Sequence, residues 1–121
     1  MYGKELILDI HKCDDITFTR NNIEEYFKQL CLLIDMKRCD LHFWDDLDIP
    51  EEERQINPKT IGTSAIQFII TSSIVIHTLD LLGKVFVNIF SCKDFDCDIA
   101  ADFTENWFKG TIKNRQMVIR E

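Results

Sequence analysis

The sequence predicts an α+β fold, a two-layer sandwich in which two helices cover one face of an antiparallel sheet. Two observations support this prediction. Apolar residues recur every three to four positions in two segments, 23–34 and 99–107, as in amphipathic helices. Between these segments lie short runs rich in β-branched residues, separated by polar breaks, as in neighbouring strands. The 121 residues suffice for one domain, 1–121, with one core.

The first part of the chain predicts a strand and then a helix. Residues 6–10 are apolar apart from one aspartate and indicate a strand. Asn21 or Asn22 is expected to cap the helix, because an asparagine side chain accepts hydrogen bonds from the first helical N–H groups. Glu24 and Glu25 would then favour the positive end of the helix dipole.

The middle of the chain predicts a loop followed by a run of strands. Residues 41–44 indicate a second strand. Residues 45–59 contain two prolines and three consecutive glutamates without an apolar period, which is typical of a solvated loop. Three strands of one antiparallel sheet are then expected at 65–70, 74–78 and 85–90, with a polar break between the first two.

The last part predicts a second helix and a final strand. Asp96 is expected to cap the helix, which ends at Gly110, and 111–119 returns as a strand. A faint internal repeat indicates that the chain consists of two pseudo-duplicated β-α-β halves. The matched residues are Lys12 with Lys93, Asp15 with Asp96, Glu24 with Glu105, and Tyr26-Phe27 with Trp107-Phe108.

Composition and charge exclude several classes of function. A net charge of −7 leaves no basic stripe for nucleic acid. No apolar run approaches the roughly 20 residues that span a bilayer, and the first residues lack the pattern of a signal peptide. Five irregularly spaced cysteines favour reduced thiols over a disulfide framework. We therefore expect a cytoplasmic protein that binds neither nucleic acid nor membrane.

A polar pair, Ser72 and Ser73, interrupts an apolar run, and His77 follows five residues after Ser72. Taken alone, the pair is most simply a turn between two strands. The alternative is acyl chemistry, in which a serine hydroxyl on a strained break uses a nearby histidine as base. Ser64 would lie roughly 26 Å from Ser72 along a straight strand, and His77 would point to the opposite face. Only a break near Ser72 and a turn between Ser64 and Ser72 can bring the three together.

The spacing of four residues in 62–92 is the most specific feature of the chain. Ser64 stands eight residues before Ser72, His77 lies in Ile-His-Thr, and Cys92 stands fifteen residues after His77 in Phe-Ser-Cys. This stretch resembles the small prokaryotic type of S-adenosylmethionine decarboxylase, a pyruvoyl-dependent enzyme. The resemblance extends to the strand and helix near the N-terminus and to the second helix, and so spans most of the chain.

The resemblance implies a role for each of these residues. Ser72 would attack the carbonyl of Thr71, assisted by Ser64 and His77, and His77 would then remove the α-proton of Ser72. The chain would be cut between Thr71 and Ser72, leaving a pyruvoyl group derived from Ser72. That group would form a Schiff base with the substrate amine and accept electrons from the leaving carboxylate. Cys92 would return a proton to the carbanion.

Several positions depart from the family pattern. The family usually has glutamate before the cleavage serine and histidine after it, where this chain has Thr71 and Ser73. Trp-Pro-Glu after Ile-His-Thr is replaced by 79–81, Leu-Asp-Leu. Phe43 or Trp44 can supply an aromatic face for a ring or a sulfonium instead. The acidic loop from Asp45 to Arg54 is also longer than the corresponding segment of the family.

Three hypotheses follow for the function. The first is a decarboxylase of S-adenosylmethionine in polyamine synthesis, the second is the same chemistry on arginine or ornithine, and the third is a non-cleaving homologue that acts as a binding or regulatory partner. The resemblance also implies a homodimer with sites near the subunit boundary. Cys39 and His42 have the spacing of half a metal site, but no second half follows, so we expect no metal.

Overall fold

A computed structural model describes all residues, 1–121, and contains one six-stranded sheet and two α-helices. Short 3-10 turns precede α1 and interrupt the loop after β2. Neither helix is long and apolar enough to cross a membrane. The elements are β1 (Gly3–His11), α1 (Arg20–Leu33), β2 (Arg38–Trp44), β3 (Ser64–Ile69), β4 (Ser72–Leu79), β5 (Lys84–Ser91), α2 (Cys97–Phe108) and β6 (Thr111–Arg120).

The strands lie in the order β2-β3-β4-β5-β1-β6, and every neighbouring pair is antiparallel. This confirms the predicted α+β sandwich. The two β-α units of the predicted repeat start from adjacent strands, β1 and β5. The strands that follow the two helices differ, because β6 pairs with β1 whereas β2 lies at the opposite edge of the sheet beside β3.

Alternation along the strands places one face of the sheet under the helices. In β4 the side chains of Ile74, Ile76 and Thr78 are buried, whereas Val75 and His77 point to the other face. The helices pack on the first face, and 21 buried hydrophobic residues from the helices, the strands and their connections form the core there. No helix covers the second face. Apolar residues on that helix-free face include Ile66, Phe68, Val75, Phe86 and Phe90.

The start of α1 differs from the prediction. Thr19 is the N-cap, and its Oγ1 accepts a hydrogen bond from the Asn22 amide at 3.2 Å. The prediction that Asn21 or Asn22 caps this helix was therefore wrong. A 3-10 turn, Asp15–Phe18, brings the chain into the helix earlier, so the two glutamates of the prediction stand beyond the first turn.

The boundaries of α2 follow the prediction closely. Asp96 is the N-cap and accepts hydrogen bonds from the amides of Asp98 and Ile99 at 2.9 and 3.1 Å. The helix ends at Phe108, and Lys109 then takes a left-handed conformation before Gly110. A side chain at Gly110 would meet the backbone of β1 at 2.6 Å, so glycine is required there.

The turn between β3 and β4 lies elsewhere than predicted. The polar break was expected at Ser72 and Ser73, but both serines begin β4, and the turn consists of Ile70 and Thr71. No glycine marks this turn, because Thr71 itself adopts the positive φ of +52°. A sequence prediction that relies on glycine, proline or serine as turn signals therefore places the break two residues too late.

The predicted solvated loop is confirmed and runs to the start of β3. Its first residue, Asp45, accepts two hydrogen bonds from the Arg20 guanidinium, which ties the loop to the start of α1. The Asp46 carboxylate accepts a hydrogen bond from the Gln55 amide at 2.7 Å and closes the middle of the loop on itself. The loop is thus held at the start of α1 and folded back on itself.

Candidate active site

The pairing of β3 with β4 brings Ser64 and His77 together. The two residues stand directly opposite each other, and the Ser64 Oγ lies 2.7 Å from the His77 Nδ1. Trp44 of β2 pairs with Ser64, and Phe86 of β5 pairs with His77. These four side chains form a row across the helix-free face, with a serine-histidine pair between two aromatic residues.

A cleft of about 460 Å³ lies beside this pair. The Trp44 side chain, which is 58% exposed, and Leu79 supply apolar surface, while Gln55 and Lys59 reach the cleft from the loop before β3. No carboxylate lines the cleft. Although the chain has a net charge of −7, this cleft is therefore lined by one ammonium, that of Lys59, and by no carboxylate.

A second cluster forms at the opposite end of β4 around Ser72. Its hydroxyl oxygen accepts a hydrogen bond from the Cys92 amide at 3.0 Å and lies 3.5 Å from the Cys92 Sγ. The Thr71 Oγ1 is 3.1 Å from the same sulfur. Ser72 is buried, with 8% of its surface exposed. The cluster therefore combines a shielded hydroxyl, a thiol and the peptide bond that joins Thr71 to Ser72.

The thiol of Cys92 is placed for proton transfer. Hydrogen bonding from the Ser72 hydroxyl, and to a lesser degree from that of Thr71, lowers the pKa of Cys92 below its ordinary value. A thiol whose pKa moves towards neutrality exchanges its proton more readily at physiological pH. The cluster thus contains a residue able to act as acid or base within hydrogen-bond distance of the Ser72 hydroxyl.

One chain does not bring the two groups together. Ser72 and His77 are five positions apart along β4, or about 16 Å at the usual rise of a strand. The turn that the sequence argument required does exist between Ser64 and Ser72, but it pairs Ser64 with His77. Ser64 stands six residues before Ile70 and His77 six residues after Thr71, so a turn at these two residues places them opposite each other. The position of the turn is therefore the one piece of information that the sequence did not supply.

Apart from Trp44, the other candidate residues lie outside the cleft and the Ser72 cluster. The His42 ring packs edge-on against Phe68 at 6.0 Å, and Cys39 is exposed. No three histidine, cysteine, aspartate or glutamate side chains cluster as metal ligands would. Of the two aromatic candidates for ligand stacking, Phe43 lies under the Arg20 guanidinium and packs against the core, whereas Trp44 lines the cleft.

Asp80, in the segment that departs from the family pattern, also lies apart from the cleft. It accepts a hydrogen bond from the Thr78 hydroxyl at 3.0 Å, and burial raises the pKa of its carboxyl. Its backbone amide donates to the Ile61 carbonyl. Asp80 therefore anchors the end of β4 to the loop that precedes β3. The spacing of the motif gave no indication of this role.

Comparison with known proteins gives a family model that matches the sequence and a solved structure that matches the fold. The family model described as S-adenosylmethionine decarboxylase matches residues 4–121. Among solved structures, the adenosylmethionine decarboxylase from Aquifex aeolicus VF5 is similar, with a TM-score of 0.74 and 16% sequence identity over 99% of this chain and 94% of that chain. No curated protein matched in the sequence search. The structural match concerns the fold, and the family model concerns nearly the whole sequence.

Proposed function

The chain belongs to the S-adenosylmethionine decarboxylase family, and on that premise we propose that it is a pyruvoyl-dependent decarboxylase acting on S-adenosylmethionine in polyamine synthesis. It would make its prosthetic group by cleaving itself between Thr71 and Ser72. The observation that carries the proposal is the Ser72 cluster, in which the hydroxyl is buried against the Cys92 amide and thiol directly after a turn. A buried serine hydroxyl held beside a thiol is better explained by a role in internal acyl transfer than by a role as a turn residue.

Self-cleavage would start at the Ser72 hydroxyl. Its oxygen adds to the Thr71 carbonyl carbon and loses its proton, the C–N bond breaks, and the nitrogen takes up a proton, so that an ester replaces the amide. Removal of the Ser72 α-proton then breaks the Cβ–Oγ bond of the former serine and frees the Thr71 carboxylate. The dehydroalanine left at 72 takes up one water and loses ammonia to give the pyruvoyl group. Each step transfers a proton at or next to Ser72, where Cys92 lies.

The residues around Ser72 fit a pyruvoyl group. The Cys92 amide, which holds the serine oxygen at 3.0 Å, can hold a carbonyl oxygen in the same place. A pyruvoyl group supplies a ketone that condenses with a substrate amine and accepts the electrons released with carbon dioxide. The Cys92 Sγ would hold the proton that is returned to the substrate carbon.

Ser64 and His77 would act in this scheme from a second copy of the chain. They lie about 16 Å from Ser72 in their own chain, too far for proton transfer. Two copies stacked by their helix-free faces, with the β4 strands antiparallel, would place His77 of the partner subunit at the Ser72 end. The apolar side chains of this face, such as Val75 and Phe90, provide the surface that such stacking buries.

Decarboxylation of arginine or ornithine is the second candidate. It is favoured by Leu79, an apolar residue where the family has tryptophan, since recognition of an adenosyl ring loses one aromatic face. The charge of the cleft does not separate the substrates, because no carboxylate lines it and S-adenosylmethionine carries a sulfonium and an ammonium, just as arginine and ornithine carry their cations. Trp44 offers an aromatic face in the same cleft, so S-adenosylmethionine remains the preferred substrate.

The deciding experiment is the intact mass of the purified protein. We expect two fragments, residues 1–71 and a second fragment starting with a pyruvoyl group, and only the full chain for Ser72→Ala. Ser73→Ala is the matched control and should cleave as the wild type does. A single 121-residue species after long incubation would refute both enzyme hypotheses and favour a binding or regulatory homologue. Release of carbon dioxide from S-adenosylmethionine, arginine and ornithine in parallel identifies the substrate.

A further inference from the structure

We propose that the left-handed backbone of Thr71 is a positioning device for self-cleavage, because it strains the scissile peptide in the uncut chain and the strain is relieved when the amide becomes an ester. The inference rests on the proposed function and concerns how the cleavage step is promoted. It assigns a role to Thr71, one of the residues at which this chain departs from the family pattern.

Thr71 is in an unusual conformation for its residue type. Its φ is +52°, a region that β-branched residues avoid because the side chain crowds the backbone. Three other non-glycine residues have positive φ, but they are lysines and an aspartate at the ends of elements. The next hairpin turn, between β4 and β5, uses Gly83 at φ +60°. A glycine would thus serve equally well for the turn at Thr71.

The surrounding structure holds Thr71 in this conformation from both sides. Ile69 pairs with Ser72 across the two-residue turn, so the paired strands fix both ends of the turn. The Thr71 Oγ1 lies 2.8 Å from the Ile70 carbonyl oxygen and 3.1 Å from the Cys92 Sγ. Ser72 is in turn fixed by the Cys92 amide. Strained residues persist when their neighbours over-determine them in this way.

Strain at this position acts on the bond that breaks. The acyl shift exchanges a planar amide for an ester, which has weaker conjugation and a softer torsion, so part of the strain in the uncut chain is released as the C–N bond breaks. Strain present in the starting state and released on the way to the transition state accelerates the step. From the usual cost of such a conformation we expect an acceleration of roughly tenfold to a hundredfold.

Four variants separate backbone strain from the hydroxyl. Thr71→Gly and Thr71→Asn both accept positive φ and relieve the strain, whereas Thr71→Val keeps a β-branched residue and loses only the hydroxyl. Lys12→Gly is the matched control, because Lys12 has φ +56° at the end of β1 and lies outside the Ser72 cluster. The measurement is the rate at which freshly synthesised full-length chain is converted to fragments, followed by mass spectrometry.

The expected result is that Thr71→Gly and Thr71→Asn cleave at least tenfold more slowly than the wild type, that Thr71→Val cleaves faster than either of them, and that Lys12→Gly stays within a few-fold of the wild type. Wild-type rates for Thr71→Gly and Thr71→Asn would overturn the inference and leave the proposed function intact. So would Thr71→Val as slow as Thr71→Gly, since the hydroxyl would then be the cause. An uncut wild type would refute the proposed function itself, and the inference with it.

The strain is also measurable without cleavage. In the Ser72→Ala background, Thr71→Asn should raise the denaturant midpoint of unfolding, because the strained residue is replaced by one that tolerates the left-handed region. An unchanged or lower midpoint would show that the turn holds no strain and would overturn the inference even if a Thr71 variant failed to fold in the cleaving chain.

Discussion

At the scale of single residues, the chemistry is concentrated in two small groups at the two ends of β4. Ser64 and His77 share a hydrogen bond on the helix-free face, and Ser72 shares two contacts with Cys92 at the other end. Neither group is complete for the proposed reaction. The first has a base and lacks a carbonyl to act on, and the second has the scissile peptide with only a thiol beside it.

The state of the Cys92 thiol can be tested by its alkylation. Because hydrogen bonds from Ser72 and Thr71 lower the pKa of Cys92, the thiolate forms at lower pH than in an ordinary cysteine. In the uncut His77→Ala chain we expect the midpoint of the alkylation rate against pH to lie below the usual value. Adding Ser72→Ala should move it upwards, and Thr71→Val should do so to a smaller extent. An unmoved midpoint in both variants would contradict this account of the thiol.

At the scale of secondary-structure elements, local signals predicted the helices better than the hairpin. The cap of α2 was predictable because Asp96 directly precedes an apolar period, whereas Thr19 was missed because two asparagines offered equally good chemistry nearby. The register of the hairpin between β3 and β4 could not be predicted, because its turn uses Thr71 in place of the usual turn residues. The residue types of the site were therefore predictable, and their pairing was not.

The cap of α2 gives a quantitative prediction about stability. Asp96→Ala leaves two amides at the start of the helix without their partner and should cost about 1 kcal/mol of unfolding free energy. Asp102→Ala, an exposed position in the middle of the same helix, is the control and should change stability by less than about 0.5 kcal/mol. Chemical denaturation of the Ser72→Ala chain measures both, and equal effects would argue against the capping role.

At the scale of the whole molecule, one face of the sheet carries the helices and the other is left uncovered. The uncovered face holds the Ser64–His77 pair and apolar side chains such as Val75. Its mixture of apolar surface and functional groups is explained if a second copy covers it. The sequence could not reveal this, because an alternating strand does not state which of its faces will be covered by helices of the same chain.

The association of two copies can be tested directly. Val75→Lys places a charge at the centre of the helix-free face and should convert a dimer to monomers in analytical ultracentrifugation. Leu32→Lys is the control, because Leu32 is 76% exposed on α1 and lies on the other side of the molecule. Loss of the dimer in Leu32→Lys, or its retention in Val75→Lys, would place the interface elsewhere.

Cleavage between subunits gives a stricter test of the composite site. A His77→Ala chain retains Ser72, and a Ser72→Ala chain retains His77, so each alone should stay uncut. When the two are co-expressed, a shared site would let the His77→Ala chain be cut with the help of the partner, while the Ser72→Ala chain stays whole. Tagged chains of different mass identify which one is cut. Cutting of the His77→Ala chain alone, without its partner, would show that His77 is not needed.

The strand order has a further consequence for a chain cut at Thr71. The first fragment would contribute β1, β2 and β3, and the second β4, β5 and β6. In the sheet, β1 of the first fragment lies between β5 and β6 of the second, so strands of the two fragments alternate and hydrogen-bond to each other. They would stay together without a covalent link, yet once unfolded they would have to find each other by diffusion. The cut protein would thus melt at a temperature that rises with its concentration, and an uncut monomer would not.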